Sequence, residues 1–369
     1  MKNSYLRDFS VPLWFSFFVL FLGYCGVILI SPESENKLAA ITDKIIATGR
    51  TVMVMGRVDT GKSTFCRHLA SAAVKRGLKT ALVDADVGQS WIGPPTTVGM
   101  MIVHGEPSAE LFPDSIYFVG SITPERHLTQ MVVGAKRMVD AAISAGAERV
   151  IVDTTGLVDG NIGRALKSGK IDAIKPDHIV CFQRSSELEI LIRGYETNRH
   201  CRIHRLEPSR GVKKKSQNSR RSYRQEQFQR YFSKFVSQEF PFSRLRGQRT
   251  AFLNGRRANN KELQNLSEIV DDRVLYAEWS FKGLFLVTVN KISTMTASTL
   301  RSHLSIDELF AYTPENLQRL LTALVDDRGE TICLAIIEKV DFDRNVLTLK
   351  CEKDADEFAK AIQFSGFQI

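Results

Sequence analysis

The feature that most limits the possible folds of this chain is a glycine-rich segment between an apolar run and a helix-like stretch. Residues 51–55 are mostly apolar and predict a strand, residues 56–63 read GRVDTGKS, and residues 64–74 have the composition of a helix. Strand, loop and helix in this order are the setting in which a G-x-x-x-x-G-K-[ST] motif binds phosphate. The segment therefore predicts a nucleoside triphosphate site within an α/β fold.

The residue types of this loop suit phosphate binding. The two glycines can adopt positive φ and let the backbone approach a ligand closely. The loop amides and the N-terminus of the following helix favour an anion. Lys62 supplies a positive charge to the outer phosphates, and the Ser63 hydroxyl can bind Mg²⁺. We predict that nucleotide is bound by the loop and by the residue after it, namely Gly56, Arg57, Val58, Asp59, Thr60, Gly61, Lys62, Ser63 and Thr64.

Two carboxylates follow the next predicted strand, residues 79–83. Asp84 and Asp86 lie two positions apart in the run DADVGQ, so both side chains leave the strand on the same side. In a parallel sheet they would lie at the carboxyl edge, where ligands bind. Either one could position Mg²⁺ or accept a proton from a nucleophile. The alternative interpretation is a turn with solvated carboxylates.

Further apolar segments extend the α/β pattern. Residues 115–120, 149–153 and 177–182 predict strands, and residues 128–145 predict a long helix. Strands that alternate with helices indicate a parallel sheet flanked by helices, with right-handed crossovers. The fold class is therefore that of a P-loop NTPase. The 149–153 strand ends in DTTG, which places Asp153 where such proteins usually hold a Mg²⁺-bound water.

The chain changes character after residue 250. Residues 277–289 predict a hairpin that turns at Lys282-Gly283, and a second hairpin is predicted to turn at residues 343–345. Residues 313–325 predict a helix. Residues 91–99, rich in glycine and proline, predict a rigid loop within the first part. We predict an N-terminal apolar segment over residues 1–35, an α/β P-loop domain over 36–250 and a small, mostly β domain over 251–369.

The excess positive charge is concentrated in one segment. The formal net charge is +9, and residues 199–230 hold 11 lysines and arginines against two glutamates. The remainder of the chain is therefore close to neutral. A basic segment on a neutral protein predicts an anionic partner held at one place. The alternative is a solvated, disordered basic loop, since residues 213–219 have loop composition.

Residues 11–30 form an uncharged apolar run that is long enough to span a bilayer. Two interpretations stay open: a membrane tether of a cytoplasmic catalytic part, or a start codon placed upstream of the true one, so that the folded part begins near Ser31. The six cysteines show no C-x-x-C spacing, so neither a zinc site nor a disulfide framework is predicted.

The motifs together resemble the polynucleotide 5′-hydroxyl kinase family. The features are the VDTGKST core of the loop, the DADVGQ run 22–27 residues after Lys62, and the PPTTV segment that follows. The family includes the RNA kinase of the eukaryotic mRNA cleavage and tRNA-splicing machineries, and archaeal and bacterial homologues. The resemblance implies that ATP and Mg²⁺ are used to phosphorylate the 5′-hydroxyl of a single-stranded nucleic acid, RNA more readily than DNA.

The resemblance also implies roles for individual residues. Lys62 and Ser63 match the phosphate and Mg²⁺ residues, Asp86 matches the group that activates the 5′-hydroxyl, and Gln89 orders the same site. The remaining matches are to the family's clasp motif, T-x-G-W, and its lid motif, R-x-x-x-R. They fall on Thr154, Thr155, Gly156 and Leu157 for the clasp, and on Arg220 and Arg224 for the lid.

The sequence departs from the family at two points. Leu157 stands where the clasp tryptophan would stack on a base, so we expect weaker binding or another aromatic, with Trp91 and Tyr223 as candidates. Residues 1–50 are too short and too apolar for the N-terminal β-domain with which eukaryotic members help to hold the adenine, so the choice between ATP and GTP stays open. Two other functions also stay open. Leu157 favours a catalytically silent ATP-binding scaffold for RNA processing, and the D-x-x-G run at Asp153 together with the apolar N-terminus suits a membrane-associated regulatory P-loop NTPase.

Overall fold

A computed structural model describes residues 32–105, 112–209 and 215–369. The apolar segment 11–30 lies outside the described residues, and so do residues 210–214 of the basic segment. Among the helices of the described ranges, none has the length and apolar character needed to cross a membrane.

The first part of the chain alternates helices and strands. Its elements are α1 (Pro32–Thr48), β1 (Thr51–Gly56), α2 (Lys62–Lys75), β2 (Thr80–Ala85), β3 (Thr97–Val103), β4 (Ser115–Phe118), α3 (Leu128–Ser144), β5 (Arg149–Thr154), α4 (Gly160–Ile174), β6 (His178–Phe182), α5 (Glu189–Ile192), β7 (Arg202–Leu206) and α6 (Gln217–Phe232).

Five of these strands form the predicted parallel sheet, in the order β7–β6–β1–β5–β2. The sheet continues through β3 and β4, which are antiparallel, so it is mostly rather than wholly parallel. The expectation that residues 91–99 form one rigid loop was wrong at its end, because Thr97 already begins β3. The physical reason is the apolar run TVGMMIV, which is buried between two neighbouring strands.

Helices cover both faces of the parallel sheet. Apolar residues of α3 and α4 pack on one face, and those of α1 and α2 pack on the other. The phosphate-loop motif leaves β1 at the carboxyl edge, as predicted. In the register of β2 and β5, Asp84 lies beside Asp153. The carboxyl ends of the adjacent strands β1, β5 and β2 therefore bring the predicted loop, Asp153 and Asp84 to one edge of the sheet.

The second part of the chain is rich in strands but also contains helices. Its elements are β8 (Val236–Pro241), β9 (Arg246–Gln248), β10 (Arg256–Arg257), α7 (Asn260–Val270), β11 (Val274–Ser280), β12 (Gly283–Thr288), α8 (Thr294–Leu304), β13 (Glu308–Tyr312), α9 (Pro314–Leu317), β14 (Leu320–Val325), β15 (Thr331–Asp341), β16 (Val346–Cys351), α10 (Ala355–Phe358) and β17 (Ala361–Gln368), and short 3₁₀ turns cover Arg193–Tyr195 and Phe242–Arg244.

Most of these strands extend the central sheet. Strand β15 pairs with β4 through Thr331 and Ile116, and the order then continues β15–β14–β17–β9, with β16 between β15 and β8. A separate four-stranded sheet has the order β10–β11–β12–β13. Both predicted hairpins are confirmed, as β11–β12 and β15–β16.

The predicted helix over residues 313–325 was wrong for most of its length. A helix does begin at Pro314, but it ends at Leu317, and residues 320–325 form β14. This strand lies between β15 and β17 and is almost wholly buried. A short apolar run of this kind has no periodicity that separates a buried strand from a buried helix.

The basic segment contains a regular helix, α6, that joins the two parts of the molecule. Phe228 and Phe232 at its C-terminal end are buried against Phe118 of β4, Leu321 of β14 and Leu334 of β15. Its N-terminal end points to the carboxyl edge of the sheet. The prediction of a disordered loop therefore does not hold for residues 217–232.

Candidate active site

The phosphate-loop motif has the local geometry that its glycines predict. Gly61 has a φ of 89° and is the N-cap residue of α2. A Cβ at Gly56 would lie 2.7 Å from the Phe182 carbonyl oxygen of the neighbouring strand, so only glycine fits without movement. Lys62 is buried, and its Nζ donates a hydrogen bond across the loop to the Arg57 carbonyl at 2.7 Å. The loop is thus closed around its own lysine.

The predicted clasp segment lies directly against this loop. Gly156 touches Val58 so closely that any Cβ there would overlap the valine. The Thr154 hydroxyl is buried and donates to the Val54 carbonyl at 2.8 Å. Leu157 packs partly buried against the core of the sheet. The segment therefore supports the loop from behind, and Leu157 supplies no aromatic face.

Asp153 is buried at the centre of the site. Its Oδ2 accepts a short hydrogen bond from the Ser63 hydroxyl and another, 3.0 Å long, from the indole Nε1 of Trp91. Its Oδ1 is equally buried but has no hydrogen-bond partner among the described residues. Burial raises the pKa of Asp153, an effect that Lys62 and Ser63 oppose. An unpaired oxygen on a buried carboxylate calls for a polar partner, such as a water molecule or a cation.

Asp84 differs from Asp153 because its oxygens are already occupied. Its Oδ2 accepts hydrogen bonds from the Ser90 hydroxyl at 3.1 Å, the Trp91 amide at 2.6 Å and the Ile92 amide at 3.2 Å. Its Oδ1 accepts from the Asp86 amide at 2.9 Å. Burial raises the pKa of Asp84 to about 8, with the neighbouring carboxylates adding to the effect. In this arrangement Asp84 fixes the loop of residues 86–92.

Asp86 is more accessible and has a free oxygen. Its Oδ1 accepts from the amides of Gly88 and Gln89, both at 3.1 Å. No hydrogen bond from the described residues reaches its Oδ2. The Gln89 side chain donates from Nε2 to the Gly88 carbonyl at 2.9 Å and lies 3.4 Å from the Arg220 carbonyl of α6. Gln89 therefore links the loop of residues 86–92 to α6, the lid helix, which carries both predicted lid arginines.

The lid helix is docked on the phosphate loop. Arg220 Nη2 pairs with Asp59 Oδ2 at 2.7 Å, and the same oxygen accepts from the Lys215 amide at 3.1 Å. The Tyr223 hydroxyl donates to the Ser90 carbonyl at 3.0 Å. Arg220 Nε is buried and lacks a partner among the described residues. Arg224 lies one turn further, partly buried, and forms no ion pair within the described ranges.

Two buried lysines below the site were not predicted. Lys167 and Lys170 lie on the inner face of α4 and are inaccessible to solvent. Lys167 Nζ donates to the Thr154 hydroxyl at 2.7 Å and the Thr155 carbonyl at 2.6 Å, and Lys170 Nζ lies 3.3 Å from the Ala85 carbonyl. Burial lowers the pKa of Lys167 well below its usual value and that of Lys170 to about 8. Both lysines lie among the buried apolar positions of the helix, and this position in the sequence pattern was the signal that could have predicted their burial.

Comparison with known proteins assigns the chain to a family. The profile of the mRNA cleavage and polyadenylation factor CLP1 P-loop matches residues 56–234. A polyribonucleotide 5′-hydroxyl-kinase of Pyrococcus abyssi is 30% identical over 86% of this chain and 87% of its own length. One of Thermococcus kodakarensis is 33% identical over 81% and 82%. The chain belongs to the polyribonucleotide 5′-hydroxyl-kinase family.

The fold of this family is shared with a solved structure of Clp1p. The Clp1p chain in a Clp1p–Pcf11p complex superposes with a TM-score of 0.60 and 14% identity, covering 91% of this chain and 79% of that one. At that identity the likeness concerns the fold. The family match spans the loop motif, the three aspartates and the lid helix of this chain.

The described residues fit a Mg²⁺ ion that is bound partly by the protein and partly by the phosphates of the nucleotide. They contain no group of three or more His, Cys, Asp or Glu that could hold a metal alone. Mg²⁺ in phosphoryl-transfer enzymes is commonly held by one or two protein oxygens together with phosphates and water. The Ser63 hydroxyl and the unpaired Oδ1 of Asp153 are donors of this kind.

Proposed function

We propose that the chain is an ATP-dependent polynucleotide 5′-hydroxyl kinase that transfers the γ-phosphoryl group of ATP to the 5′-hydroxyl of RNA or DNA. The observation that supports this best is the meeting of three separate segments. The phosphate loop contacts the lid through Asp59 and Arg220, and the lid contacts the loop of Asp86 through Gln89. A phosphate-binding loop, an accessible carboxylate and an arginine close to both are the parts that such a transfer needs.

Nucleotide and metal are assigned to the following residues. Lys62 and the loop amides bind the outer phosphates, and the neighbouring Thr154 and Gly156 hold the loop in place. Mg²⁺ is assigned to Ser63 and Asp153, and a bound Mg²⁺ would neutralise charge on the phosphate oxygens. Asp86 is assigned to the side of the site nearest to the acceptor. We leave Asp84 out of this set because four donors already occupy its oxygens.

The transfer itself needs a base and a source of positive charge. Asp86 Oδ2 accepts the proton of the acceptor's 5′-hydroxyl. The oxygen of that hydroxyl forms a bond to the γ-phosphorus, and the bond between the γ-phosphorus and the β,γ-bridging oxygen breaks. Arg220 and Arg224 stabilise the charge on the three remaining oxygens of the transferred group. The products are a 5′-phosphorylated strand and ADP.

The acceptor is assigned to nucleic acid on the basis of charge and relatives. The exposed side chains of Arg221 and Arg230 on α6 offer positions for backbone phosphates. Arg205 is not one of them, because it pairs with Glu189 at 2.8 Å. The relatives from Pyrococcus abyssi and Thermococcus kodakarensis are named polyribonucleotide kinases, a name that makes RNA their acceptor. We therefore expect RNA to be the better substrate here.

The test is label transfer by the purified full-length chain. With γ-labelled ATP and 5′-hydroxyl oligonucleotides, the wild type is expected to label RNA, and DNA less well. Asp86→Asn is expected to lower the rate about 10²–10⁴-fold, the range for loss of a general base, while ATP binding stays unchanged. Asp140→Asn, an exposed carboxylate on α3, is the matched control and should keep the wild-type rate.

Two results would contradict the proposal. ATP binding without any label transfer would favour the silent scaffold, a reading that Leu157 supports because it replaces the base-stacking tryptophan. Release of free phosphate without labelled oligonucleotide would favour a regulatory NTPase. Equal rates for Asp86→Asn and the wild type would leave the kinase assignment intact but remove Asp86 as its base.

A further inference from the structure

Trp91 occupies an unusual position between the two buried carboxylates of the site. Its backbone amide donates to Asp84 Oδ2 at 2.6 Å, and its indole Nε1 donates to Asp153 Oδ2 at 3.0 Å. These aspartates are register partners on adjacent strands. One residue therefore ties the loop after β2 to the end of β5, and does so with its backbone and its side chain at once.

The indole bond decides how Asp153 is presented. Oδ2 receives both donors, Ser63 and Trp91, while Oδ1 is buried and has no partner among the described residues. An indole N–H can only donate a hydrogen bond and an ionised carboxylate can only accept one, so the direction of this bond is fixed. Loss of this donor would let the carboxylate rotate about its terminal torsion, which is broad and soft.

The ring of Trp91 is itself held in place. The Arg67 guanidinium, on the α2 helix that carries Ser63, lies over it at 4.5 Å from the ring centroid. This contact is within the range of a cation–π interaction and covers one face of the ring. At most one face of the Trp91 ring is therefore left for a nucleic-acid base, the role for which the sequence made it a candidate.

We infer that Trp91 is a positioning residue for the metal site: its indole N–H holds Asp153 so that the unpaired Oδ1 faces the Mg²⁺ of a bound nucleotide. The inference rests on the proposed nucleotide site but adds a residue that the motifs do not contain. It predicts that replacing Trp91 raises the Mg²⁺ concentration needed for nucleotide binding. The affinity for nucleotide in the absence of Mg²⁺ should not change.

The experiment measures ADP binding to the full-length chain by calorimetry as a function of Mg²⁺ concentration. Trp91→Phe keeps a ring but loses the donor, and it should raise the half-saturating Mg²⁺ concentration about tenfold, as expected for a hydrogen bond to a charged group. In EDTA, its affinity for ADP should equal that of the wild type. Trp279→Phe is the matched control, because the buried Trp279 Nε1 has no partner among the described residues.

Trp91→His tests the donor separately from the ring. Imidazole Nε2 occupies the same place in its five-membered ring as indole Nε1, so this variant should restore most of the lost Mg²⁺ affinity. It also keeps the test decisive if Trp91→Phe is unstable. The inference is overturned if Trp91→Phe and the wild type need the same Mg²⁺ concentration, or if the His and Phe variants are equally impaired.

A different outcome would identify a base platform instead. If Trp91→Leu, which removes the ring, weakened RNA binding in EDTA while Trp91→Phe left the Mg²⁺ requirement unchanged, the residue would act on the acceptor and the inference would be wrong. If the wild-type chain bound no ADP at any Mg²⁺ concentration, both this inference and the proposed function would be overturned. An altered Mg²⁺ requirement with no kinase activity would remove only the proposed function.

Discussion

At the scale of single residues, burial decides which polar groups can ionise. His178 of β6 and His204 of β7 show this away from the active site: their rings stack, and Nδ1 of the first lies 2.9 Å from Nε2 of the second. Burial lowers the pKa of each to about 4, and nearby cations, Lys44 and Arg202 for both, add to the effect. For His178, Asp177 opposes it. The pair therefore resists protonation in the folded state.

This pair predicts a loss of stability in acid. An unfolded chain binds protons on both histidines as the pH falls below about 6.5, whereas the folded chain does so only near 4, so protons favour unfolding in between. We expect the free energy of unfolding to fall by roughly 2–3 kcal/mol for each histidine between these values. His204→Asn should reduce that slope in denaturant titrations. His303→Asn, at an exposed position, should not; an unchanged slope in His204→Asn would refute the assignment.

At the scale of elements, the lid helix α6 is held at both ends by different forces. The Arg220–Asp59 ion pair holds its first turn, with both side chains partly buried, and the buried rings of Phe228 and Phe232 hold its last turns. Ion pairs near the surface contribute little, while buried aromatic side chains contribute much more. The end over the phosphate loop is therefore the one that can open.

This difference predicts where the helix opens. Asp59→Asn removes the carboxylate that pairs with Arg220, so amide hydrogen exchange in residues 221–226 should rise roughly three- to tenfold, and exchange near Phe232 should stay slow. Bound ATP should largely reverse the increase, because its phosphates offer Arg220 another anion. Asp159→Asn, which breaks the exposed Arg57 ion pair, is the control. Equal exchange in both variants would mean that the pair does not hold the lid.

At the scale of the whole molecule, the two predicted domains share one sheet. Strands β8 and β9 precede residue 250, yet their partners β16 and β17 follow it. Strand β15 joins β4, and α6 packs on β14 and β15. The division at residue 250 stays a prediction, but the strands on either side of it complete each other's hydrogen bonding. The lid is thereby tied to the C-terminal part.

A chain ending at residue 250 is therefore expected to fail as a kinase. It would expose Phe228 and Phe232 and leave β4, β8 and β9 with unpaired edges, and such edges promote aggregation. We expect low solubility and rapid proteolysis within α6, measured beside the full-length chain. A soluble fragment with a cooperative thermal transition and label transfer would contradict this and would show that the first part folds alone.

How far the sequence determined this protein follows from the range of the forces involved. The strand–loop–helix order around Lys62, and the strand-terminal positions of Asp86 and Asp153, depend on local periodicity and on glycine, so they could be predicted. The identity of residues 320–325 could not, because an apolar run of six residues is equally suited to a buried strand and a buried helix. Only its place between β15 and β17 decided the matter.

The site follows the same division. Sequence alone predicted which residues serve phosphate chemistry, because a phosphate ligand favours particular residue types at a particular spacing. Tertiary structure decided which of them are available: Asp84 has its oxygens filled, Asp153 keeps one unpaired, and Trp91 reaches across 62 positions to orient it. The packing of α4 against the sheet also places the buried side chains of Lys167 and Lys170 below the site. Hydrogen bonding and desolvation depend on neighbours that are distant in the chain, so no local pattern could reveal them.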